Sequence, residues 1–178
     1  MLHAVENFLD KETCEFLVQF AENGEEHFNV IEGNEFWSKR VLRILETHPE
    51  IAQNIAKRIA AEISQRYNCI EPWCDTIDLI RWPVGWKQEV HEDQTPGFEY
   101  RDFGCIIYLN DNYSGGNTYY PNQKKKVQPV VGLLAIHPGT SEFEHGVTTV
   151  EGSPRYTIAS FWTLNRRRAG LPDLTETL

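Results

Sequence analysis

The hydrophobic positions near the start of the chain recur at helical spacing. The stretch concerned is "LDKETCEFLVQFAEN", residues 9–23. Its apolar positions Phe16, Leu17, Phe20 and Ala21 share one side of a helix, and Asp10 stands where an N-cap is expected. We therefore predict a helix that begins after Asp10 and buries this face.

A second helix is predicted over "HPEIAQNIAKRIAAEISQRYN", residues 48–68. Pro49 lies near its first turn, where a missing backbone N–H is tolerated. Isoleucine repeats every four residues at Ile51, Ile55, Ile59 and Ile63. This single apolar stripe predicts that the helix packs on a large surface.

After residue 68 the pattern changes to short β-branched or aromatic runs separated by Gly, Pro and Asn. These runs are "DTIDLIRWPVG", "FGCIIYLND", "VVGLLAIHP", "HGVTTV" and "RYTIASFWTL". Short strands at this spacing are typical of a double sheet of the jelly-roll kind. We therefore predict a single domain with helical support at 1–70, a jelly-roll core at 71–165 and a loosely held tail at 166–178.

Composition and charge exclude several classes of protein. The chain has 40% hydrophobic and 24% charged residues, which is ordinary for a soluble globular domain. It has no apolar run near the roughly 18 residues of a membrane helix and no leader peptide, so we expect a cytoplasmic protein without a membrane partner. The net charge of −9 and the lack of a broad basic stripe argue against a nucleic-acid partner. The four cysteines lack zinc-site spacing, and we expect reduced thiols.

The segment "VHEDQTPGFEY" contains a candidate metal site. Side chains two apart in a strand point the same way, so His91 and Asp93 can reach one point in space. A two-histidine, one-carboxylate set for iron(II) needs a second histidine, and His137 and His145 are the candidates in the β-rich part. A polar strand end is the alternative interpretation of the pair.

The sequence after His145 favours that histidine as the third ligand. It runs "HGVTTVEGSPRYTIASFWT", in which "EGSP" signals a turn, so we predict that the flanking strands pair as a hairpin. Arg155 follows His145 by ten positions. A guanidinium buried in a barrel needs an anion, which a dicarboxylate cosubstrate would supply, with Thr157 adding a hydroxyl. A structural salt bridge is the alternative role for Arg155.

These pieces resemble the iron(II)- and 2-oxoglutarate-dependent dioxygenases, and within them the prolyl 4-hydroxylase-like branch. The similarity covers most of the chain and rests on "VENFLDKETCEFLV", "IRWPVGWKQEVHED", "RDFGCIIYLNDNYSGGNTYYP", "VQPVVGLLAIHP" and "HGVTTVEGSPRYTIASFWT". The resemblance implies that His91, Asp93 and His145 ligate iron and that Arg155 binds the distal carboxylate of 2-oxoglutarate. It implies a mainly β fold with flanking helices (α+β), in which a double-stranded β-helix carries N-terminal helices on its outer sheet.

Two positions depart from the family pattern. Prolyl hydroxylases usually carry lysine where Arg155 stands, although arginine is common in neighbouring branches. They also tend to place a tyrosine nine positions before the HxD histidine, where this chain has Trp82. Because an indole donates one hydrogen bond and accepts none, the cosubstrate contacts must differ, and Tyr108 is the substitute candidate.

The resemblance implies an oxygenase that hydroxylates an unactivated C–H bond, most plausibly in a prolyl residue of a peptide or protein. Iron(II), 2-oxoglutarate and dioxygen are implied, with ascorbate as a further candidate reductant. The segment "QTPGFEYR" is a candidate lid, and we expect a monomer or weak dimer. The candidates for substrate contact are Tyr100, Arg101 and Trp162.

Three other functions stay open. The same chemistry could act on a free amino acid or small metabolite. A nucleic-acid demethylase of the same superfamily usually carries a second arginine about six residues after the first, where this acidic chain has Phe161. A cupin-like metal-binding protein without turnover would have no need of the carboxylate clamp that Arg155 provides.

Overall fold

Two facing antiparallel sheets, with helices on the back of the larger one, make up the part of the chain that the structure describes. The structure is a computed structural model, and it describes residues 1–170. The helices are α1 Lys11–Glu22, α2 Ile44–Thr47 and α3 Pro49–Tyr67. The strands are β1 His3–Val5, β2 Val41–Leu42, β3 Trp73–Trp82, β4 Gln88–His91, β5 Phe103–Tyr108, β6 Ser114–Gly115, β7 Thr118–Tyr120, β8 Lys125–Val127, β9 Leu134–Pro138, β10 His145–Val147, β11 Val150–Glu151 and β12 Arg155–Thr163. Short 3-10 turns cover Glu25–His27, Ser141–Phe143 and Arg166–Arg168.

The strand order confirms the predicted fold class. The larger sheet has six strands in the order β1-β9-β5-β12-β3-β2, and the facing sheet has four in the order β4-β10-β7-β8. A small third sheet pairs β11 with β6. Apart from β7 and β8, the strands paired in these sheets are far apart in sequence, and the pairings are antiparallel, as in a jelly roll.

Both predicted long helices form, and each buries an apolar face. The Asp10 side chain caps α1 by accepting a hydrogen bond from the Thr13 backbone N–H at 2.8 Å. Leu17 is fully buried, but Phe16 is 45% exposed and Cys14 is buried in its stead. The buried face of α1 is therefore rotated by about 60° from the predicted one, at 3.6 residues per turn, because the helix lies against the sheet on its Cys14–Leu17–Ala21 side.

The isoleucine stripe of α3 packs as predicted on the back of the larger sheet. Ile55, Ile59 and Ile63 are fully buried in one cluster with residues of α1, β3, β5, β9 and β12. The alternation along β3 separates two environments, since Leu79 joins this helix-side cluster while Ile80 faces the other sheet. The large partner surface expected from the stripe is thus the six-stranded sheet.

The predicted hairpin around "EGSP" is wrong. The turn itself exists, with Gly152 at φ +83°. However, β11 pairs with β6, whereas β12 lies between β3 and β5 in the larger sheet. The chain crosses from one sheet to another at this turn, which a local turn signal does not distinguish from a hairpin.

The first seventy residues also contribute strands. β1 pairs with β9 at one edge of the larger sheet, and β2 pairs with β3 at the other. The division into 1–70, 71–165 and 166–178 stays a prediction, and of the tail, residues 171–178 lie outside the described residues. Across residues 1–170, no helix combines the length and the hydropathy that a membrane span needs.

We predict that Ile59→Ala lowers the free energy of unfolding by about 2–5 kcal/mol, because it removes the side chain beyond Cβ from a fully buried site and leaves a cavity. Chemical denaturation measures the change. Ile70→Ala is the matched control, since Ile70 is 85% exposed. An equal loss in both variants would contradict the stripe as the helix–sheet contact.

Candidate metal centre

A cavity of about 390 Å³ lies between the two sheets. The larger sheet lines it with inward residues of β3, β5 and β12, and the facing sheet lines it with residues of β4 and β10. Most of its wall is apolar, while a few polar groups converge on it, as is typical of a ligand site. The polar residues among its lining are Arg43, Thr76, Asp78, Gln88, His91, Asp93, Arg101, His137, His145, Arg155 and Thr157.

His91, Asp93 and His145 converge on one point at the edge of this cavity. Each offers one ligand atom, and the three atoms lie within 4.8 Å of one another. His91 ends β4 and is the register partner of His145, which begins β10. Asp93 lies in the bend just after β4, so its approach to His91 comes from the chain turning and not from strand alternation alone.

Backbone carbonyls orient both imidazoles of this group. The Nδ1 atom of His91 lies 3.0 Å from the Glu89 carbonyl oxygen, and the Nδ1 atom of His145 lies 3.2 Å from that of Phe143. A carbonyl only accepts, so each Nδ1 carries the hydrogen and each Nε2 keeps a free lone pair. The rings are therefore held in the tautomer that a metal requires.

His137 lies beside the group but has a different role. Its Nε2 lies 2.9 Å from Asp93 Oδ2, and its Nδ1 lies 3.0 Å from the Tyr120 hydroxyl. The tautomer that satisfies both bonds donates from Nε2 to Asp93 and accepts at Nδ1 from Tyr120. His137 thus orients the carboxylate from behind, while the other oxygen, Asp93 Oδ1, lies 4.0 Å from Nε2 of His145.

This buried arrangement depends on Gly104 in β5. A Cβ atom at Gly104 would lie 2.2 Å from Asp93 Oδ2 and 2.5 Å from His137 Nε2. Such distances are clashes, and both contacted atoms belong to one hydrogen bond. Only glycine leaves room for the Asp93–His137 pair against the sheet.

The electrostatics favour an ionised Asp93 carboxylate beside a neutral His145 imidazole. Burial acts to raise the pKa of Asp93, but the hydrogen bond from His137 and the fields of the three histidines outweigh it and lower that pKa. Burial, helped by His137, lowers the pKa of His145 to about 3. One anionic and two neutral donors with free lone pairs suit a divalent transition metal, and iron(II) in particular.

Arg155 lies at the other side of the cavity and is 1% exposed. Its guanidinium carbon lies 4.9 Å from the Trp82 ring centroid and 5.3 Å from that of Tyr108. Its Nη2 donates weakly to the Thr118 hydroxyl at 3.5 Å, and its Nε and Nη1 have no hydrogen-bond partner among the described residues. A buried cation with two unused donors fits an anionic ligand in the cavity.

The predicted cosubstrate residues surround this guanidinium. Thr157 is buried and accepts a hydrogen bond from Trp82 Nε1 at 3.4 Å. Tyr108 is fully buried, and its hydroxyl shares a 2.7 Å hydrogen bond with Thr118. Burial raises the pKa of Tyr108, although Arg155 opposes that shift. Trp82 and Thr157 line the cavity itself.

Sequence reasoning missed the roles of Thr118 and Tyr120. Both lie on β7 in the "GGNTYYP" stretch, two positions apart, and both are fully buried. Thr118 contacts Arg155, and Tyr120 contacts His137. The alternation of this stretch, with polar hydroxyls on the inner face, was the available signal.

A second buried arginine, also missed, supports Trp82 from outside the cavity. Arg40 is 3% exposed, and its guanidinium carbon lies 4.7 Å from the Trp82 ring centroid. It also lies 4.3 Å from the rings of Phe36 and Trp86. Burial, helped by Arg155, lowers the pKa of Arg40 to about 10. Trp82 is thus held between two guanidinium groups, and its orientation is restricted.

The three candidates for substrate contact lie in different environments in the structure. Arg101 lines the cavity and pairs with Asp75 at 2.8 Å. Tyr100 lies outside the cavity lining and donates to Asp75 at 3.4 Å. Trp162 is a correction, because it lies on the same face of β12 as Tyr156 and Ile158, opposite the cavity-lining Phe161, and its ring is therefore in the helix-side core, where it is 2% exposed.

The segment "QTPGFEYR", residues 94–101, lies at the rim of the cavity. Phe98 and Arg101 line the cavity, and the Arg101 guanidinium stacks on the Phe98 ring at 4.1 Å. Phe98 is 41% exposed. The segment is therefore positioned beside the opening, and its action as a lid stays a prediction.

Comparison with known proteins gives a family match for the β-rich part of the chain. Residues 78–163 match the model of the 2OG-Fe(II) oxygenase superfamily. Prolyl 3-hydroxylase 1 from Rattus norvegicus is 33% identical over 81 residues, which are 43% of this chain and 11% of that protein. The protein of the same name from Gallus gallus is 33% identical over 95 residues, which are 48% of this chain and 13% of that protein. The chain therefore spans about a tenth of the length of these curated relatives.

Solved structures share the whole fold at low sequence identity. A viral collagen prolyl hydroxylase from Paramecium Bursaria Chlorella virus-1 superposes with a TM-score of 0.69 at 16% identity and covers 93% of this chain and 96% of its own. A Pseudomonas putida prolyl-4-hydroxylase superposes with a TM-score of 0.67 at 15% identity and covers 92% of each chain. The family match over residues 78–163 confirms the recognition made from the motifs, and the solved structures show the same fold.

We predict that His137→Phe weakens binding of a divalent metal by about 10–100-fold, because Asp93 loses the donor that orients its carboxylate. Isothermal titration with manganese(II) under matched conditions measures the affinity without turnover. Tyr120→Phe removes only the hydrogen bond to His137 and should have a smaller effect. Unchanged affinity in His137→Phe would show that Asp93 binds the metal equally well without the hydrogen bond from His137.

Proposed function

We propose that this member of the 2OG-Fe(II) oxygenase superfamily hydroxylates a prolyl residue in a peptide or protein. One observation carries the proposal: a two-histidine, one-carboxylate group and a buried arginine with unused donors face the same cavity. A metal site alone fits many functions. The guanidinium of Arg155 in the same cavity favours a metal enzyme that also binds an anionic cosubstrate.

His91, Asp93 and His145 are the proposed iron ligands in this function. The free Nε2 lone pairs and the ionised carboxylate support that assignment, and His137 with Tyr120 holds the carboxylate in place. When bound, iron(II) with 2-oxoglutarate and dioxygen supplies the oxidising power for C–H hydroxylation. The part of the protein is to hold the target carbon close and to exclude water. Ascorbate is proposed as an accessory reductant.

Arg155 is the proposed partner of the distal carboxylate of 2-oxoglutarate. Its Nε and Nη1 have hydrogens free to donate, and either one together with the weakly bound Nη2 forms an edge that can bind both oxygens of one carboxylate, which is the bidentate geometry that arginine favours. Thr157 could add a hydroxyl. Trp82 and Tyr108 shape the surrounding wall, and burial of all four residues keeps water away from the ion pair. Arginine in place of lysine is therefore accommodated without loss of the clamp.

The relatives support a prolyl substrate. The curated matches are prolyl 3-hydroxylases, and the solved structures include prolyl hydroxylases. One of them, from Trichoplax adhaerens, is a complex with a hypoxia inducible factor peptide fragment, at 18% identity and a TM-score of 0.65 over 94% of this chain and 86% of that chain. The rim segment 94–101 beside the opening suits an extended peptide, and a polyproline II segment loses little entropy on binding.

We predict that Arg155→Ala raises the 2-oxoglutarate concentration needed for half-maximal turnover by about two orders of magnitude or more, while the affinity for manganese(II) stays near normal. The cosubstrate carboxylate would remain buried without its charged partner. Arg155→Lys should recover part of the loss, since it restores a charge but only one point of contact. Equal loss of metal and cosubstrate binding would instead indicate a structural arginine.

The proposed function is tested with proline-containing peptides, free proline and single-stranded DNA, each incubated with iron(II), ascorbate and 2-oxoglutarate. We expect a mass gain of one oxygen on the peptide, and fragmentation with a stereochemical standard then gives the ring carbon that carries it. Asp93→Ala should abolish the reaction, because the only carboxylate of the group is lost. Hydroxylation of free proline alone, or demethylation of the DNA, would overturn the peptide assignment. Metal binding without conversion of 2-oxoglutarate to succinate would indicate a non-catalytic cupin-like protein.

A further inference from the structure

Asp78 is a carboxylate inside the cavity that neither the metal group nor the Arg155 site uses. It lies on the inner face of β3, on the same side of the strand as Ile80 and Trp82. Its register partner in β12 is Ala159, a small residue that leaves the carboxylate facing open space. Asp78 is thus part of the cavity wall at a distance from Arg155.

The position of Asp78 relative to the metal group follows from the sheet register. Gly104, which contacts Asp93, pairs with Phe161, and Phe161 pairs with Thr76. Asp78 follows Thr76 by two residues on the same face. Two strand spacings and two residues of rise give roughly 12 Å between the Cα atoms of Gly104 and Asp78. Asp78 and the position of the metal group at Gly104 therefore lie on the same wall of the cavity, with β12 between their strands.

The charges around Asp78 leave it without a partner among the described residues. The nearby Arg101 is already paired with Asp75 at 2.8 Å, and both side chains are largely buried. Arg43, which also lines the cavity, is half exposed and lies 3.9 Å from Glu46. These two pairs cancel in charge. Asp78 makes no hydrogen bond or ion pair within the described part of the chain, so the negative charge of its carboxylate is not compensated by a neighbouring side chain.

The wall near Asp78 is aromatic and apolar. Trp37, Phe98 and Phe161 line the same cavity, together with Ile31. Burial raises the pKa of Asp78 to about 6, although Arg43 lowers it in part. A carboxylate in such surroundings is poorly hydrated and gains more than a surface carboxylate from a cationic partner. Aromatic faces add to the attraction for a cation.

We propose that Asp78 binds a positively charged group of the substrate, an ammonium or guanidinium, on the cavity wall two strands away from the metal group. The inference rests on the proposed hydroxylase function and specifies its substrate class as cationic. An extended peptide advances about 3.3 Å per residue, so the separation from the metal group corresponds to a basic residue within about three positions of the hydroxylated proline. Free proline, with its secondary ammonium group, is the small-molecule source of the same chemistry.

The test is a lysine scan in blocked proline peptides, in which one lysine is placed one to four residues on either side of the proline. Matched peptides carry norleucine or glutamate at the same position. Affinity is measured by calorimetry in the presence of manganese(II) and 2-oxoglutarate without oxygen, and turnover is measured separately with iron(II). We expect one register of lysine to bind and react best, and glutamate there to bind worst.

Asp78→Asn keeps the size of the side chain and removes its charge. It should weaken binding of the preferred lysine peptide by about tenfold or more and leave the norleucine peptide unchanged. The 2-oxoglutarate requirement should not change, because Arg155 is untouched. Glu12→Gln, which makes the same change of charge on the exposed side of α1, is the matched control and should behave as the unmodified protein.

The outcomes separate this inference from the proposed function. Equal binding of lysine, norleucine and glutamate peptides, or an unchanged preference in Asp78→Asn, would overturn the role of Asp78 while prolyl hydroxylation stands. Asp78-dependent binding of lysine peptides without any hydroxylation would keep the cation site and overturn the hydroxylase. Asp78-dependent binding of free proline, with no preference among peptides, would assign the site to a free amino acid.

Discussion

The burial of Arg155 is the constraint on which the rest of the site depends. A guanidinium that is 1% exposed is costly unless its donors find an anion, and two of its nitrogens find none among the described residues. Trp82 and Tyr108 on its faces, and Thr118 at Nη2, fix its direction without neutralising it. The fold therefore maintains an unpaired positive charge at one side of its cavity, which one carboxylate of an anionic ligand would neutralise.

How far the site could be predicted depended on whether its signals were local in sequence. The HxD pair is local, and the distance from His145 to Arg155 selected the histidine that the structure places with His91 and Asp93. The same reasoning took the "EGSP" turn for a hairpin, because sequence shows that the chain reverses but not which sheet receives it. His145 was thus chosen from its ten-residue spacing to Arg155, which is consistent with the structure, and from a predicted hairpin between their strands, which is not.

What could not be predicted was set by packing between elements distant in sequence. In the sequence, His137 looks like an ordinary histidine at the end of a strand. It reaches Asp93 only because β9 pairs with β5, where Gly104 leaves room for the contact. Trp162 is different, because strand alternation counted from Arg155 already places it with Tyr156 and Ile158 on the helix side, away from the cavity. Its proposal as a substrate contact was therefore an error in applying a local signal and not a consequence of distant packing.

The balance of charge in the cavity links the metal group to the substrate. Asp93 and Arg155 carry opposite single charges, whereas iron(II) and the 2-oxoglutarate dianion carry opposite double charges. Metal without cosubstrate leaves the cavity with excess positive charge, and cosubstrate without metal leaves it with excess negative charge, so each favours binding of the other. Once both are bound these four charges cancel, and Asp78 is then the charge that remains in the wall. Asp78 of β3, and not the iron, therefore sets the net electrostatic potential that an incoming substrate meets in the cavity.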